Sequence, residues 1–183
     1  MLQRQIVACI SARRFRFAET KLAALPIASQ KIKLLALAKN MLLGEYNHNL
    51  DNKGRVAVPA KFRDKLNAGA IITRGLDNCL FVFTNTEWEI LAKKLVALPL
   101  AQANSRAFVR LMLAGAMDVQ LDNQGRILIP DYLRKYAGLK KQVVVAGLYN
   151  RIEIWDSERW QAYKQKTESA SDEIAEKLGE LGI

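Results

Sequence analysis

The stretch Leu50-Asp51-Asn52-Lys53-Gly54-Arg55-Val56-Ala57-Val58-Pro59 occurs a second time as Leu121-Asp122-Asn123-Gln124-Gly125-Arg126-Ile127-Leu128-Ile129-Pro130, 71 residues later. Each copy is followed, four residues after its proline, by an arginine, Arg63 or Arg134. A second set of matches lies 72 residues apart and joins Gly75-Leu76, Asn78, Leu80, Val82 and Trp88 to Gly147-Leu148, Asn150, Ile152, Ile154 and Trp160. An internal repeat of this length indicates two copies of one supersecondary unit.

The residue pattern predicts the same order of elements in each copy. Short alternating apolar runs predict strands, and the Asp-Asn-x-Gly tetrapeptide predicts a turn. Pro59 suits the first position of a helix, because its fixed φ and missing N–H cost nothing there. In the first copy and the connection that follows it, the pattern predicts strands over residues 44–50, 55–58, 70–73 and 79–83, and helices over 60–66, 87–98 and 102–114.

We therefore predict an α+β fold built from two β-rich repeats. The repeats span 45–91 and 116–159, a helical connection covers 92–115, and a helical tail covers 160–183. A unit of about 45 residues is too small to bury both faces of its own sheet, so the two copies are expected to pack together as a pseudo-dimer. Ile174, Leu178 and Leu181 form one stripe of the tail, typical of a packing or subunit contact.

The positive charge is unevenly distributed along the chain. The net charge is +10, and residues 1–40 carry +7 of it. That segment is interpreted as an extension from an upstream start codon, with a transit peptide or a basic nucleic-acid-binding arm as alternatives. In the rest of the chain, 51–66 and 122–141 each carry +3 and the remainder carries −3. Basic charge on the two matching segments points to an anionic partner.

Several classes of protein are disfavoured by the sequence. The chain contains no P-loop, GxGxxG or HExxH motif, and no apolar run approaches the roughly 18 residues of a membrane span. Cys9 and Cys79 form no CxxC pair, and Cys79 is expected to be buried. His48, the only histidine, is expected at a surface or hairpin position without a catalytic role. Trp88 and Trp160 are expected in the core. We predict no catalytic residue, metal, cofactor or small-molecule substrate, and a cytoplasmic location.

The repeated turn has a chemistry suited to DNA. Gly54 and Gly125 allow a positive φ and a close approach of backbone to a partner. Arg55 and Arg126 then start a strand, from which a guanidinium can span two phosphate oxygens or guanine O6 and N7. Since a carboxylate repels phosphate, Asp51 and Asp122 are assigned the positioning of the turn and its arginine. The alternative is that each Asp–Arg pair merely stabilises its hairpin. The predicted DNA-binding residues are Lys53, Arg55, Arg63, Arg126 and Arg134.

The doubled D-N-x-G-R-[VI]-x-[VI]-P motif and the two G-L-x-N…W segments closely resemble the MraZ family, from about Met41 to the C-terminal tail. This resemblance implies AbrB-like swapped-hairpin repeats and a bacterial transcriptional regulator. It further implies a homo-oligomeric ring, octamer-like, that binds direct repeats in promoter DNA. The target would be the cell-division and cell-wall gene cluster, including the protein's own operon, which is usually repressed. The family's DNA-contacting D-x-x-x-R elements match Asp51/Arg55 and Asp122/Arg126.

Two functions of different kind remain open from the sequence. The first is a nucleoid-associated DNA-binding regulator. The second is a protein-binding AbrB-fold scaffold, or an antitoxin-like module without a direct role on DNA.

Overall fold

A computed structural model describes residues 41–179, and within this range the chain forms eight strands and six helices. In chain order these are β1 Leu42–Asn49, β2 Arg55–Ala57, α1 Ala60–Leu66, β3 Ala70–Arg74, β4 Leu80–Thr84, α2 Asn85–Val96, α3 Ala103–Leu113, β5 Met117–Val119, β6 Arg126–Leu128, α4 Asp131–Ala137, β7 Gln142–Tyr149, β8 Ile152–Asp156, α5 Ser157–Ser169 and α6 Ser171–Gly179. The expectations for residues 1–40 and for Leu181 lie outside the described residues.

The two repeats are interleaved through their strands. One sheet has six antiparallel strands in the order β1-β7-β8-β4-β3-β5, and a second sheet consists of β2 and β6. The first strand of each repeat pairs with a strand of the other: β1 with β7, from Leu42↔Tyr149 to Asn49↔Gln142, and β5 with β3. The β4–β8 and β2–β6 pairs also join the repeats. The predicted α+β fold with two packed repeats is confirmed, and the packing takes the form of exchanged strands.

One hydrophobic core is shared by both repeats. Phe62 of α1 and Leu133 of α4 occupy equivalent positions, and both are completely buried. Val56 and Ile127 face each other across the β2–β6 pair and are buried in the same cluster. Burying an apolar side chain of this size contributes roughly 1.5–3 kcal/mol. The repeats therefore stabilise each other through a common interior.

The ends of the elements differ from the sequence prediction by a few residues. Strand β2 ends at Ala57 because the next pair of the ladder is incomplete: the N–H of Val58 still donates to the Gly125 carbonyl at 2.9 Å, but the N–H of Gly125 donates to the Asp122 carbonyl within its own turn. Helix α2 begins at Asn85, two residues early, because the Thr84 hydroxyl accepts from the N–H of Glu87 and caps the helix. The predicted tail is two helices, separated at Ala170.

Two predictions about single residues can be compared with the structure. Cys79 is buried as predicted, and its thiol donates to the Leu76 carbonyl at 3.1 Å. Burial raises the pKa of this thiol far above its usual range, which makes it a poor nucleophile. His48, predicted at a surface or hairpin position, is half-buried and lies within strand β1. Burial, followed by the charge of Arg63, lowers the pKa of His48.

Candidate nucleic-acid interface

The aspartate of the first motif holds its turn and its arginine at once. One carboxylate oxygen of Asp51 accepts from the backbone N–H groups of Lys53 at 2.9 Å and Arg55 at 2.8 Å. The other oxygen accepts from Nε of the Arg55 side chain at 2.7 Å. Gly54 has a φ of +78°, a conformation that L side chains rarely adopt. The local sequence therefore dictates a turn from which the arginine leaves in a defined direction.

The second motif repeats this geometry. Asp122 accepts from the N–H groups of Gln124 and Arg126, each at 2.9 Å, and from Nε of Arg126 at 2.9 Å. The Arg126 Nη2 atom lies 2.8 Å from the same carboxylate, and Gly125 has a φ of +73°. Both aspartates thus make the contacts that a positioning role requires.

The structure brings the two motifs together in one place. The Nη1 atom of Arg126 lies 3.7 Å from the Asp51 carboxylate, and that of Arg55 lies 4.0 Å from the Asp122 carboxylate. The N–H of Ile129 donates to the Gly54 carbonyl at 2.8 Å, mirroring the Val58–Gly125 bond. We call the four residues Asp51, Arg55, Asp122 and Arg126 the motif cluster. The D-x-x-x-R elements, 71 residues apart in the sequence, form a single site.

Arg63 and Arg134 each cross to the turn of the other repeat. Arg63 donates from Nε to the Val58 carbonyl at 2.9 Å, and its guanidinium covers Gly125. The Arg134 guanidinium covers Gly54 so closely that a Cβ built there would lie 2.7 Å from Arg134 Cζ. Within the described residues, Nε of Arg134 has no hydrogen-bond partner. These arginines flank the motif cluster, and the glycines leave the space they occupy.

The positive and negative charges of the motif cluster cancel. The side-chain hydrogen bond from Arg126 lowers the pKa of Asp122 to about 2, and the backbone N–H of Arg55 lowers that of Asp51. Both carboxylates are therefore ionised at neutral pH and offset Arg55 and Arg126. The excess positive charge comes from Arg63 and Arg134, together with Lys53, whose side chain is exposed on the first turn. An anion would meet fixed guanidinium donors inside a wider basic rim.

The pKa of Asp122 provides a test of this geometry. We expect the pKa of its carboxyl to be near 2 in the native protein and clearly higher in Arg126→Ala, where only the backbone N–H groups of residues 124 and 126 still lower it. Because the folded pKa is the lower one, the stability that this ion pair contributes is present above about pH 4 and is lost as the pH falls through 2. Carboxyl-detected NMR titration of both proteins measures the shift. An unshifted Asp122 in the native protein would contradict the described contacts.

Sequence reasoning missed two charged contacts that one carboxylate makes at this site. Asp131, interpreted from the sequence as an acid suited to a helix N-terminus, ion-pairs with Lys135 at 2.7 Å and lies 3.4 Å from the guanidinium of Arg134. The pairing with Arg134 was foreseeable from their i, i+3 spacing on a helix.

Among residues 41–179, no cluster of histidine, cysteine or acidic side chains could hold a metal ion, and no helix is both long and apolar enough to cross a bilayer.

Comparison with known proteins identifies a family and a set of relatives that match most of this chain. The family model described as "MraZ protein, putative antitoxin-like" matches residues 41–111 and again 112–180. Proteins named "Transcriptional regulator MraZ" from Alkaliphilus metalliredigens and Halothermothrix orenii are each 51% identical over 143 residues. A protein of the same name from Syntrophomonas wolfei is 46% identical over 143 residues. Each of these matches covers 78% of this chain and 100% of the relative. On the doubled motif, the interleaved repeats and these matches, the chain belongs to the MraZ family.

Proposed function

We propose that this protein is a transcriptional regulator that binds double-stranded DNA in a sequence-specific manner through the motif cluster and its basic rim. The observation that carries the proposal is the orientation of two arginines by two aspartates at one site, with Arg63 and Arg134 beside them. The names of its relatives, each called a transcriptional regulator, support a role in transcription regulation.

The mechanism follows from the donors that the arginines keep available. A guanidinium has five N–H donors, and each motif arginine directs part of this set to its aspartate. The Arg55 and Arg126 side chains remain 30% and 25% exposed, so that further donors can reach solvent. Such donors suit guanine O6 and N7 in the major groove, and Arg63 and Arg134 would contact phosphates. The aspartates reduce the entropy cost of orienting each guanidinium before DNA arrives.

A single subunit has too little net charge at this site for tight binding. The motif cluster is neutral, and each neutralised phosphate contributes a salt slope of roughly −0.9 on duplex DNA. Useful affinity requires several copies that act together, because a second contact is then made at high effective concentration. We therefore propose a homo-oligomeric ring, octamer-like, that binds tandem repeats in promoter DNA. The proposed target is the cell-division and cell-wall gene cluster, including the protein's own operon, which the protein represses in the cytoplasm at the nucleoid.

The DNA upstream of the protein's own operon tests this function directly. We expect fluorescence anisotropy to show binding that weakens steeply with salt, and markedly tighter binding to tandem repeats than to one repeat. The control is a duplex of the same length and base composition with the repeats scrambled. Equal affinity for the native and scrambled duplexes across the salt range would rule out sequence-specific binding.

A second candidate is a protein-binding scaffold or antitoxin-like module. It is favoured by exposed apolar side chains near helices α2 and α3, namely Ile90, Val96, Leu100 and Phe108. Such a group of residues can mark a protein contact. Pull-down from cells with and without nuclease treatment separates the candidates, since partners bridged by DNA are lost after digestion and direct protein partners are retained.

A further inference from the structure

The two turns of the interface share one backbone geometry and differ in one side chain. Asp51 and Asp122 each accept from the N–H of the third turn residue at 2.9 Å. From the aspartate to the arginine the two sequences are identical except at this position, which is Lys53 in one repeat and Gln124 in the other. Both side chains are exposed. The pseudo-symmetric site therefore presents two different chemical groups from matching positions.

The two arginines that flank the motif cluster, Arg63 and Arg134, also differ in their surroundings. Arg63 donates to the neutral carbonyl of Val58, whereas Arg134 lies near the carboxylate of Asp131. The counterpart of Asp131 in the first repeat is Ala60, which has no charge. The two segments 51–66 and 122–141 carry the same net charge, +3 each, but they differ in the partner of the flanking arginine, and Asp131 is also paired with Lys135 at 2.7 Å.

Unequal halves matter for the kind of DNA sequence that is read. A two-fold symmetric protein site reads a palindrome, because its halves make the same contacts on two strands that run in opposite directions. A direct repeat has a direction, so each unit bound to it must distinguish one end of its site from the other. An asymmetric pair of turns supplies this distinction within one chain.

We propose that Lys53 and Gln124 are specificity-determining residues that make the two ends of each DNA site different. The proposal rests on the DNA-binding function given above. A lysine ammonium has only donors and suits guanine O6 and N7. A glutamine amide has a donor and an acceptor and suits adenine N6 and N7. The Lys53 end therefore prefers guanine, and the Gln124 end prefers adenine.

Selection from a pool of randomised duplex DNA, followed by sequencing of the bound fraction, tests this assignment. We expect Lys53→Gln to change the base preference about tenfold at one end of the selected site and to leave the other end as it was. Gln124→Lys is expected to change the opposite end. The double variant Lys53→Gln/Gln124→Lys has the net charge of the native protein and should again select a site with one end of each kind. Lys94→Gln, an exposed lysine of α2, is the matched control.

The outcomes separate this inference from the function on which it rests. If the native protein enriches a motif and both single variants enrich the same motif, the inference is overturned. The same holds if Lys53→Gln weakens all sequences equally, since that identifies Lys53 as a phosphate contact. If the native protein enriches nothing above the starting pool, the DNA-binding function itself fails. Circular dichroism of each variant confirms that the fold is retained.

Discussion

Replacement of Arg55 or Arg126 by alanine is expected to remove nearly all sequence-specific DNA binding. Each arginine is held by its aspartate at 2.7 to 2.9 Å and keeps donors exposed at the surface. Loss of one bidentate base contact costs roughly tenfold or more in discrimination, and the loss recurs in every subunit bound to a tandem site. The measurement is anisotropy with the tandem-repeat duplex at fixed salt, with native protein and both variants compared at the same concentration.

Two further variants make the arginine experiment specific. Arg110→Ala removes an exposed arginine of α3 outside the motif cluster, and we expect it to bind almost as the native protein does. Arg55→Lys keeps the charge but lacks the planar fork that engages Asp51, so it should lose sequence preference more than total affinity. If both alanine variants fold and bind the tandem DNA with native affinity at matched salt, the Asp–Arg pairs only stabilise their turns.

The largest expected effect on stability follows from Phe62→Ala. The Phe62 ring is fully buried, packs edge to face on Tyr46 with ring centroids 5.3 Å apart, and lies directly over Gly147 of the other repeat. Its removal leaves a cavity where α1, β1 and β7 meet. Such a truncation costs about 3–5 kcal/mol, a large part of the 5–15 kcal/mol by which most domains are stable. Urea denaturation followed by circular dichroism measures the loss of unfolding free energy.

Phe108→Ala provides the matched control for that substitution. Phe108 lies on helix α3 with 37% of its surface exposed, so the same chemical change should cost well under half as much. A Phe62→Ala protein with the midpoint of the native protein would show that the repeats do not depend on this shared core. Loss of DNA binding in Phe62→Ala at temperatures where it remains folded would show that the core also holds the motif cluster in place.

The local elements were predictable because their causes are local. Asp-Asn-x-Gly specifies a turn through the aspartate's own hydrogen bonds and the positive φ of glycine, and both operate within four residues. The spacing of Phe62 and Leu66 likewise predicts the buried face of α1, and the structure confirms it. Helix and strand ends were less predictable, because they depend on single hydrogen bonds such as the one between Thr84 and Glu87.

His48 shows why burial was harder to predict than element type. Its position in strand β1 follows from the weak alternation of residues 44–50, but its degree of burial depends on what lies above the strand. The Arg63 side chain, from the following helix, is close enough for its charge to lower the pKa of this histidine. Alternation in a sequence indicates which residues share a face, and the packing of other elements determines how deeply that face is covered.

The sequence by itself determined that this protein has two copies of one unit, that each copy contains an Asp–Arg turn, and that basic charge accompanies both turns. Only the tertiary structure decided that the two turns form one site. A strand's pattern of side chains is the same whichever partner it pairs with. The sequence of either copy therefore does not predict that β1 and β5 pair with strands of the other repeat. That exchange, together with the β2–β6 pair, places Arg63 over Gly125 and Arg134 over Gly54 and brings Asp51, Arg55, Asp122 and Arg126 within ion-pair distance.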